Sequence, residues 1–200
     1  FLLMMVVLTG LKNNIPSISL EEENKDFETL QFWNSKVTIF PERGGHIVSI
    51  VINWTEILYQ DMHKETLFDT TKSVKWWIPY MFPNAWPITE EQNGKLWTLL
   101  PQHWIWRISK WQKPDKNEYW EISQELCFDE KDERFPFNWI VNNKLELIND
   151  WVIITHEIKN TWEKTFPIST WIHPYFSIPR WKKDEIEWRF EWWEKVKEQI

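Results

Sequence analysis

Glycine is scarce in this chain: 200 residues carry 4 of them, where an average usage of about 7% would supply roughly 14. Tight turns and left-handed backbone positions lean on glycine, so a fold with many turns must put something else there. Cysteine is almost missing as well. The single Cys127 cannot close an internal disulfide, so nothing ties the chain to an oxidising compartment, and its strand-like surroundings read as those of a small core residue. Basic residues are outnumbered and dispersed, giving a formal net charge of -7, which excludes a nucleic-acid or anionic-membrane surface. Long apolar runs are lacking too. Phe1 to Thr9 is apolar but too short to span a bilayer, and no basic segment precedes it. The expectation is a cytoplasmic protein in which residues 1–27 form an N-terminal leader or extension and residues 28–200 form one domain.

What the chain has in excess is tryptophan, 18 residues within a 42% hydrophobic content. Apolar and polar residues alternate in short runs, as in half-buried antiparallel strands. Val37 and Ile39 begin the series, and Ile47 to Ile52 follows Gly44-Gly45. Trp120, Ile122, Leu126 and Phe128 share one phase; Phe135, Phe137, Trp139 and Val141 share another, as do Ile186, Trp188 and Phe190. Lys113 to Asn117 and Asn142-Asn143 read as breakers. The pattern predicts an all-β sandwich with a short helical turn near Asp61 to Asp69. Trp120, Trp139 and Trp188 fall on apolar strand phases and read as core. Trp54 does not: in Asn53-Trp54 it stands where a hairpin turn wants glycine. Trp76-Trp77, Trp162, Trp181 and Trp192-Trp193 have polar or turn-like surroundings, and the indoles of Trp76, Trp77, Trp192 and Trp193 are expected to be exposed or crowded.

Several segments line up in order over roughly residues 28 to 200. They are Phe40-Pro41-Glu42-Arg43-Gly44-Gly45-His46, Met81-Phe82-Pro83-Asn84-Ala85-Trp86, Pro101-Gln102-His103-Trp104-Ile105-Trp106-Arg107, Asn160-Thr161-Trp162, and Pro167-Ile168-Ser169-Thr170-Trp171-Ile172-His173-Pro174-Tyr175-Phe176. With glycine in place of certain tryptophans they resemble the aldose 1-epimerase (galactose mutarotase-like) family. The last segment resembles its "PxSxGxHPYF" stretch and is the most specific. The resemblance implies a galactose mutarotase-like antiparallel β-sandwich, C-terminally incomplete. Trp86, Trp104 and Trp171 all stand at family glycines. The departures suggest a gene in which UGA encodes glycine but is translated as tryptophan. Thirteen positions fit that idea (54, 76, 77, 86, 97, 104, 106, 151, 162, 171, 181, 192 and 193), which would raise glycine to about 17; Trp33 is undecided. The alternative is a tryptophan-rich surface that stacks on sugar rings.

The family's reaction, an isomerisation of a hexose between its α and β anomers, needs a proton donor at the ring oxygen and a base at the C1 hydroxyl. By resemblance His173 is the general acid and His103 hydrogen-bonds near the ring oxygen, while Arg107, Asn84 and Tyr175 bind substrate. Independently of the family, Pro174 biases His173 towards an extended backbone, and Arg107 suits sugar hydroxyls or a phosphate. The implied partner is a hexose of the glucose or galactose class, with no cofactor. The family's base is a carboxylate well beyond this histidine; Glu191, Glu194 and Glu198 match no family motif and none is nominated, so this 200-residue chain is expected to lack activity by itself. His46, His63 and His156 read as structural or surface groups. HxH, HExxH and CxxC spacings are absent, so no metal site is expected. Two further readings stay open, a non-catalytic carbohydrate-binding β-sandwich and a hexose-6-phosphate 1-epimerase.

Overall fold

The computed structural model describes residues 2–9, 27–60, 64–69, 71–72, 77–87, 103, 106–112, 115–116, 121–128, 135, 137–148, 151–165, 168 and 170–178. The strands are β1 (Leu2–Thr9), β2 (Glu28–Phe32), β3 (Ser35–Phe40), β4 (His46–Ile52), β5 (Thr55–Glu56), β6 (Tyr80–Met81), β7 (Asp115–Lys116), β8 (Glu121–Phe128), β9 (Trp139–Ile148), β10 (Trp151–Asn160) and β11 (Trp171–Ile172). They form three antiparallel sheets: β1-β10-β9-β8-β7, β2-β3-β4-β5 and the pair β11-β6. Single turns of 3-10 helix at Lys64–Leu67 and Trp106–Ile108 are the helical content among the described residues; the first lies where a helical turn is expected. No helix among them is long and apolar enough to cross a membrane.

The large sheet obeys its period. Trp139, Val141, Asn143, Leu145 and Leu147 of β9 are buried while the residues between them are half exposed, and Val152, Ile154, His156 and Ile158 of β10 repeat the alternation. The register sets Ile154 against Leu145 and Ile158 against Val141, so both strands bury the same face. Strands β2 and β3 lie across β9. Leu30, Val37, Ile39 and Ile50 pack there with Val141, Leu145 and Ile154 in one continuous core. Strand β4 is buried at every position: one face points into that core, and the other is covered by Phe40, Leu67 and Trp77 around Val48. A bulge between Thr38 and Ile39 shifts the pairing with β4, which lets the strand bend towards that second layer.

Several expectations need correction. Asn142-Asn143 is not a breaker but the middle of β9, because buried Asn143 faces His156 across the ladder and its Oδ1 accepts the hydrogen bond from His156 Nδ1. A partner on the next strand offsets part of the cost of burying the two groups, while Asn143 Nδ2 and His156 Nε2 stay without one. Within the Lys113 to Asn117 stretch, Asp115–Lys116 pairs with Ser123 and Ile122. Residues Leu2–Thr9 run antiparallel to β10 along their whole length. Trp106, counted among the misplaced tryptophans, is wholly buried in a cluster with Tyr80 at 5.3 Å and Trp111 at 5.2 Å, those two rings being 6.5 Å apart. Trp77, expected to be exposed or crowded, is likewise buried, packed with Phe40, Val48 and Leu67. Trp162 leans on the core with its ring edge-on to Phe137 at 4.8 Å. Trp139 is core as expected. Trp76, Trp97, Trp104, Trp120, Trp181, Trp188, Trp192 and Trp193 lie outside the described residues.

Candidate functional site

The sequence-nominated residues hang on one ribbon of backbone, residues 77–87. Its attachment to the small sheet is the Ile78 N–H donated to the Ile47 carbonyl at 3.0 Å. From there β6 pairs with β11, Tyr80 facing Ile172 and Met81 facing Trp171. The His173 N–H then donates to the Pro79 carbonyl at 3.1 Å and the Tyr175 N–H to the Trp77 carbonyl at 2.9 Å. On the far edge Tyr59 N–H donates to Tyr175 O at 2.8 Å and Ser177 N–H to Ile57 O at 2.9 Å. Residues 171–177 are thus the middle member of a three-stranded patch of backbone. Proline at 174 keeps His173 extended, and in an extended segment alternate residues share a face. Ile172 and Phe176 accordingly rest against the core, while exposed His173 lies with its ring 4.7 Å from that of half-buried Tyr175.

His103 reaches the same ribbon from the other side. It sits in a turn with φ 56°, a left-handed conformation that histidine tolerates better than most side chains. Burial holds its pKa below the usual imidazole range, the charges of Arg107 and His173 push the same way, and a hydrogen bond to the Ala85 backbone opposes them. His103 and His173 therefore feel one another electrostatically although far apart in sequence. Arg107 belongs to the 3-10 turn that begins at Trp106, whose N–H donates to the Phe82 carbonyl at 3.4 Å. The guanidinium is half buried, and desolvation lowers its pKa. Asn84 is buried, and its Nδ2 donates to the Trp86 carbonyl at 2.5 Å, closing the turn that precedes exposed Trp86. The structure brings His103 within electrostatic reach of Arg107 and His173, sets Tyr175 beside His173, and gives Asn84 a local backbone partner.

Behind the ribbon lie groups that hold it, most of them outside the nominated set. The Gly44-Gly45 turn has φ 64° and 58°. A Cβ on Gly44 would come within 2.6 Å of the Trp106 carbonyl oxygen, so only glycine lets the 106–109 turn close on it through the Gly44 N–H to Ser109 O bond of 2.6 Å. Arg43 is buried and donates to the carbonyls of Thr66, Leu67 and Lys72, the last two at 2.5 and 2.6 Å; burial and the nearby Arg107 bring its pKa down to about 10. His46 donates from Nδ1 to the Arg43 carbonyl at 2.6 Å, and burial first and Arg43 second depress its pKa to about 3. His156 is held at about 3 by burial alone. Burial keeps both neutral; His63 lies outside the described residues. Glu56 is buried and accepts from the Ser49 hydroxyl at 2.5 Å, Ile50 N–H at 3.1 Å and Leu58 N–H at 3.0 Å. Its pKa is raised by burial against those bonds, and it pins the segment that borders residues 175–177. The one sequence signal for Glu56 is an acid inside the otherwise apolar run towards Leu58. Among the described residues no cluster of His, Cys, Asp or Glu could hold a metal ion.

No family model and no curated protein matches the sequence. Solved structures do. The Slr1438 protein of Synechocystis sp. PCC 6803 superposes with a TM-score of 0.66 at 22% identity, over 83% of this chain and 59% of that one. A galactose mutarotase related enzyme from Lactobacillus acidophilus gives 0.60 at 19% identity, over 76% of this chain and 49% of that one. A galactose mutarotase-like protein from Clostridium acetobutylicum gives 0.55 at 17%, over 76% and 55%. The fold is galactose mutarotase-like, and the chain spans between 49% and 59% of the length of these neighbours.

Proposed function

We propose that the chain belongs to the aldose 1-epimerases and carries the acid side of a hexose mutarotase site. The observation that supports this most is the suspension of His103 and His173 from one ribbon, through Ala85 and Pro79 respectively, with their charges coupled. In this reading His173 donates a proton to the ring oxygen of the pyranose while a carboxylate takes the proton of the C1 hydroxyl. The bond between C1 and the ring oxygen breaks, the aldehyde rotates about the C1–C2 bond, and reversal of both transfers closes the ring on the other face. His103, disfavoured as a cation by burial and by Arg107, hydrogen-bonds near the ring oxygen without competing for the proton. Arg107 and Tyr175 take sugar hydroxyls. A phosphorylated hexose is a weaker reading, because Arg43, the cation next to Arg107, is already engaged by three carbonyls.

Polarimetry on freshly dissolved α-glucose and α-galactose tests the proposal. The 200-residue chain by itself should show only the uncatalysed rate; acceleration is expected of a full-length, glycine-restored version, in which His173→Asn and His103→Asn should each lower it by a factor on the order of 10² to 10⁴, while His63→Asn leaves it unchanged. Full activity in His173→Asn would remove the acid from this position. Saturable sugar binding with no acceleration would favour a carbohydrate-binding module instead.

A further inference from the structure

Five non-glycine residues among those described have φ in the left-handed region: Trp33 at 51°, Asn53 at 50°, Trp54 at 66°, Trp77 at 74° and His103 at 56°. Asparagine and histidine enter that region several times more often than other side chains, whereas a bulky residue there is an outlier. All three of the outliers are tryptophan.

Each stands where the chain path asks for glycine on its own account. Strands β2 and β3 are joined by the two residues Trp33-Asn34, with Phe32 paired to Ser35. Positive φ at the first loop position and not at the second is the sign pattern of a II′ turn, whose first position is a glycine site. Strands β4 and β5 are joined by Asn53-Trp54, with Ile52 paired to Thr55. Positive φ at both is the I′ pattern, for which Asn-Gly is the favoured pair, and Asn53 is already in place. The two indoles gain almost nothing in return, being 81% and 68% exposed. Trp77 turns the backbone just before Ile78 so that its carbonyl meets the Tyr175 N–H, which seats the segment carrying His173. Trp111 and Trp139 are buried, as Trp77 is, but neither has positive φ.

We infer that residues 33, 54 and 77 are glycine in the protein as its own cells make it, their codons being read there as glycine, whereas Trp111 and Trp139 are true tryptophans. This assigns Trp33, which its sequence context leaves undecided, and it rests on backbone geometry, not on the functional reading above. With glycine at 77, the carbonyl that receives Tyr175 N–H is placed without a side chain to accommodate at a left-handed position.

The gene and the native protein test this together. The codons at 33, 54 and 77 are expected to be TGA and those at 111 and 139 TGG. Peptide mass spectrometry of the protein isolated from its own cells should read glycine at the first three positions and tryptophan at the last two. TGG codons, or tryptophan in the native peptides, at 33, 54 or 77 would overturn the inference. Neither readout depends on whether the protein acts on a sugar.

Discussion

Along β9 and most of β10 burial alternates residue by residue, whereas the patch around His173 is made of the two-residue strands β6 and β11 and of single backbone bonds to Pro79, Trp77, Ile57 and Tyr59. The first region is held by apolar side chains, each worth about 1.5–3 kcal/mol when fully buried. The second is held by main-chain hydrogen bonds worth about 0.5–1.5 kcal/mol net. The difference teaches where this molecule keeps its stability and where it keeps its chemistry. Side chains of the large sheet are committed to the core, while those of His173 and Tyr175 owe the fold little and are available to a ligand.

Breaking the large sheet should therefore cost most. Ile154→Ala and Trp139→Ala are each expected to lower unfolding free energy by about 2–5 kcal/mol, read from the denaturant midpoint. His173→Asn, on the patch, should stay within about 0.5 kcal/mol of the parent. Comparable losses at both places would dissolve the distinction.

Acid attacks the buried side next. The unfolded chain protonates His46 and His156 near pH 6.5, but the folded protein resists down to about 3. Below 6.5 the unfolded state binds the extra protons, so stability is lost as pH falls through the window from 6.5 to 3. At pH 5 each histidine should have forfeited about 2 kcal/mol relative to pH 8. Glu56, whose carboxyl is raised by burial, works in the opposite sense and recovers part of that loss as it protonates. Urea melts at pH 8 and pH 5 measure the sum; a flat profile would mean that the two imidazoles are hydrated.

Asn143→Ala sharpens the same contrast on a smaller scale, since it leaves His156 Nδ1 without the acceptor it now has. A loss of about 1–3 kcal/mol is expected, with the fold of the sheet retained by circular dichroism. The smallest effect runs the other way. Trp33→Gly and Trp54→Gly relieve left-handed backbone at exposed turns and should each stabilise by about 1 kcal/mol; a lower midpoint in both would mean that the indoles contribute more than the turns cost.

Much of the fold was legible because period-two burial is a local property. The runs through Val37–Ile39, Ile47–Ile52 and Trp139–Val141 lie in strands β3, β4 and β9 of the structure. Asn142-Asn143 misleads for a physical reason: two amides side by side look like a turn until a buried histidine on the next strand satisfies one of them. Trp106 misleads likewise, since its aromatic neighbours Tyr80 and Trp111 in space are not evident from its place in the sequence. The candidate site is legible only in part. His103, Arg107 and His173 are found through motif order, but Arg43 holds its segment by donating to the distant carbonyls of Leu67 and Lys72, and nothing adjacent in sequence signals those partners; Glu56 accepts from nearby Ser49, Ile50 and Leu58, which the β4–β5 turn brings around it.

By itself the amino-acid sequence determined an all-β chain, the turn at Asn53-Trp54 and the extended bias at His173, because alternation, turn chemistry and the proline at 174 act over a few residues. Tertiary structure alone decided that His46 and His156 are neutral, that His103 feels His173, and that Trp77 is buried at a left-handed position. Burial, charge and chain direction there depend on elements tens of residues away, and no local pattern carries that information.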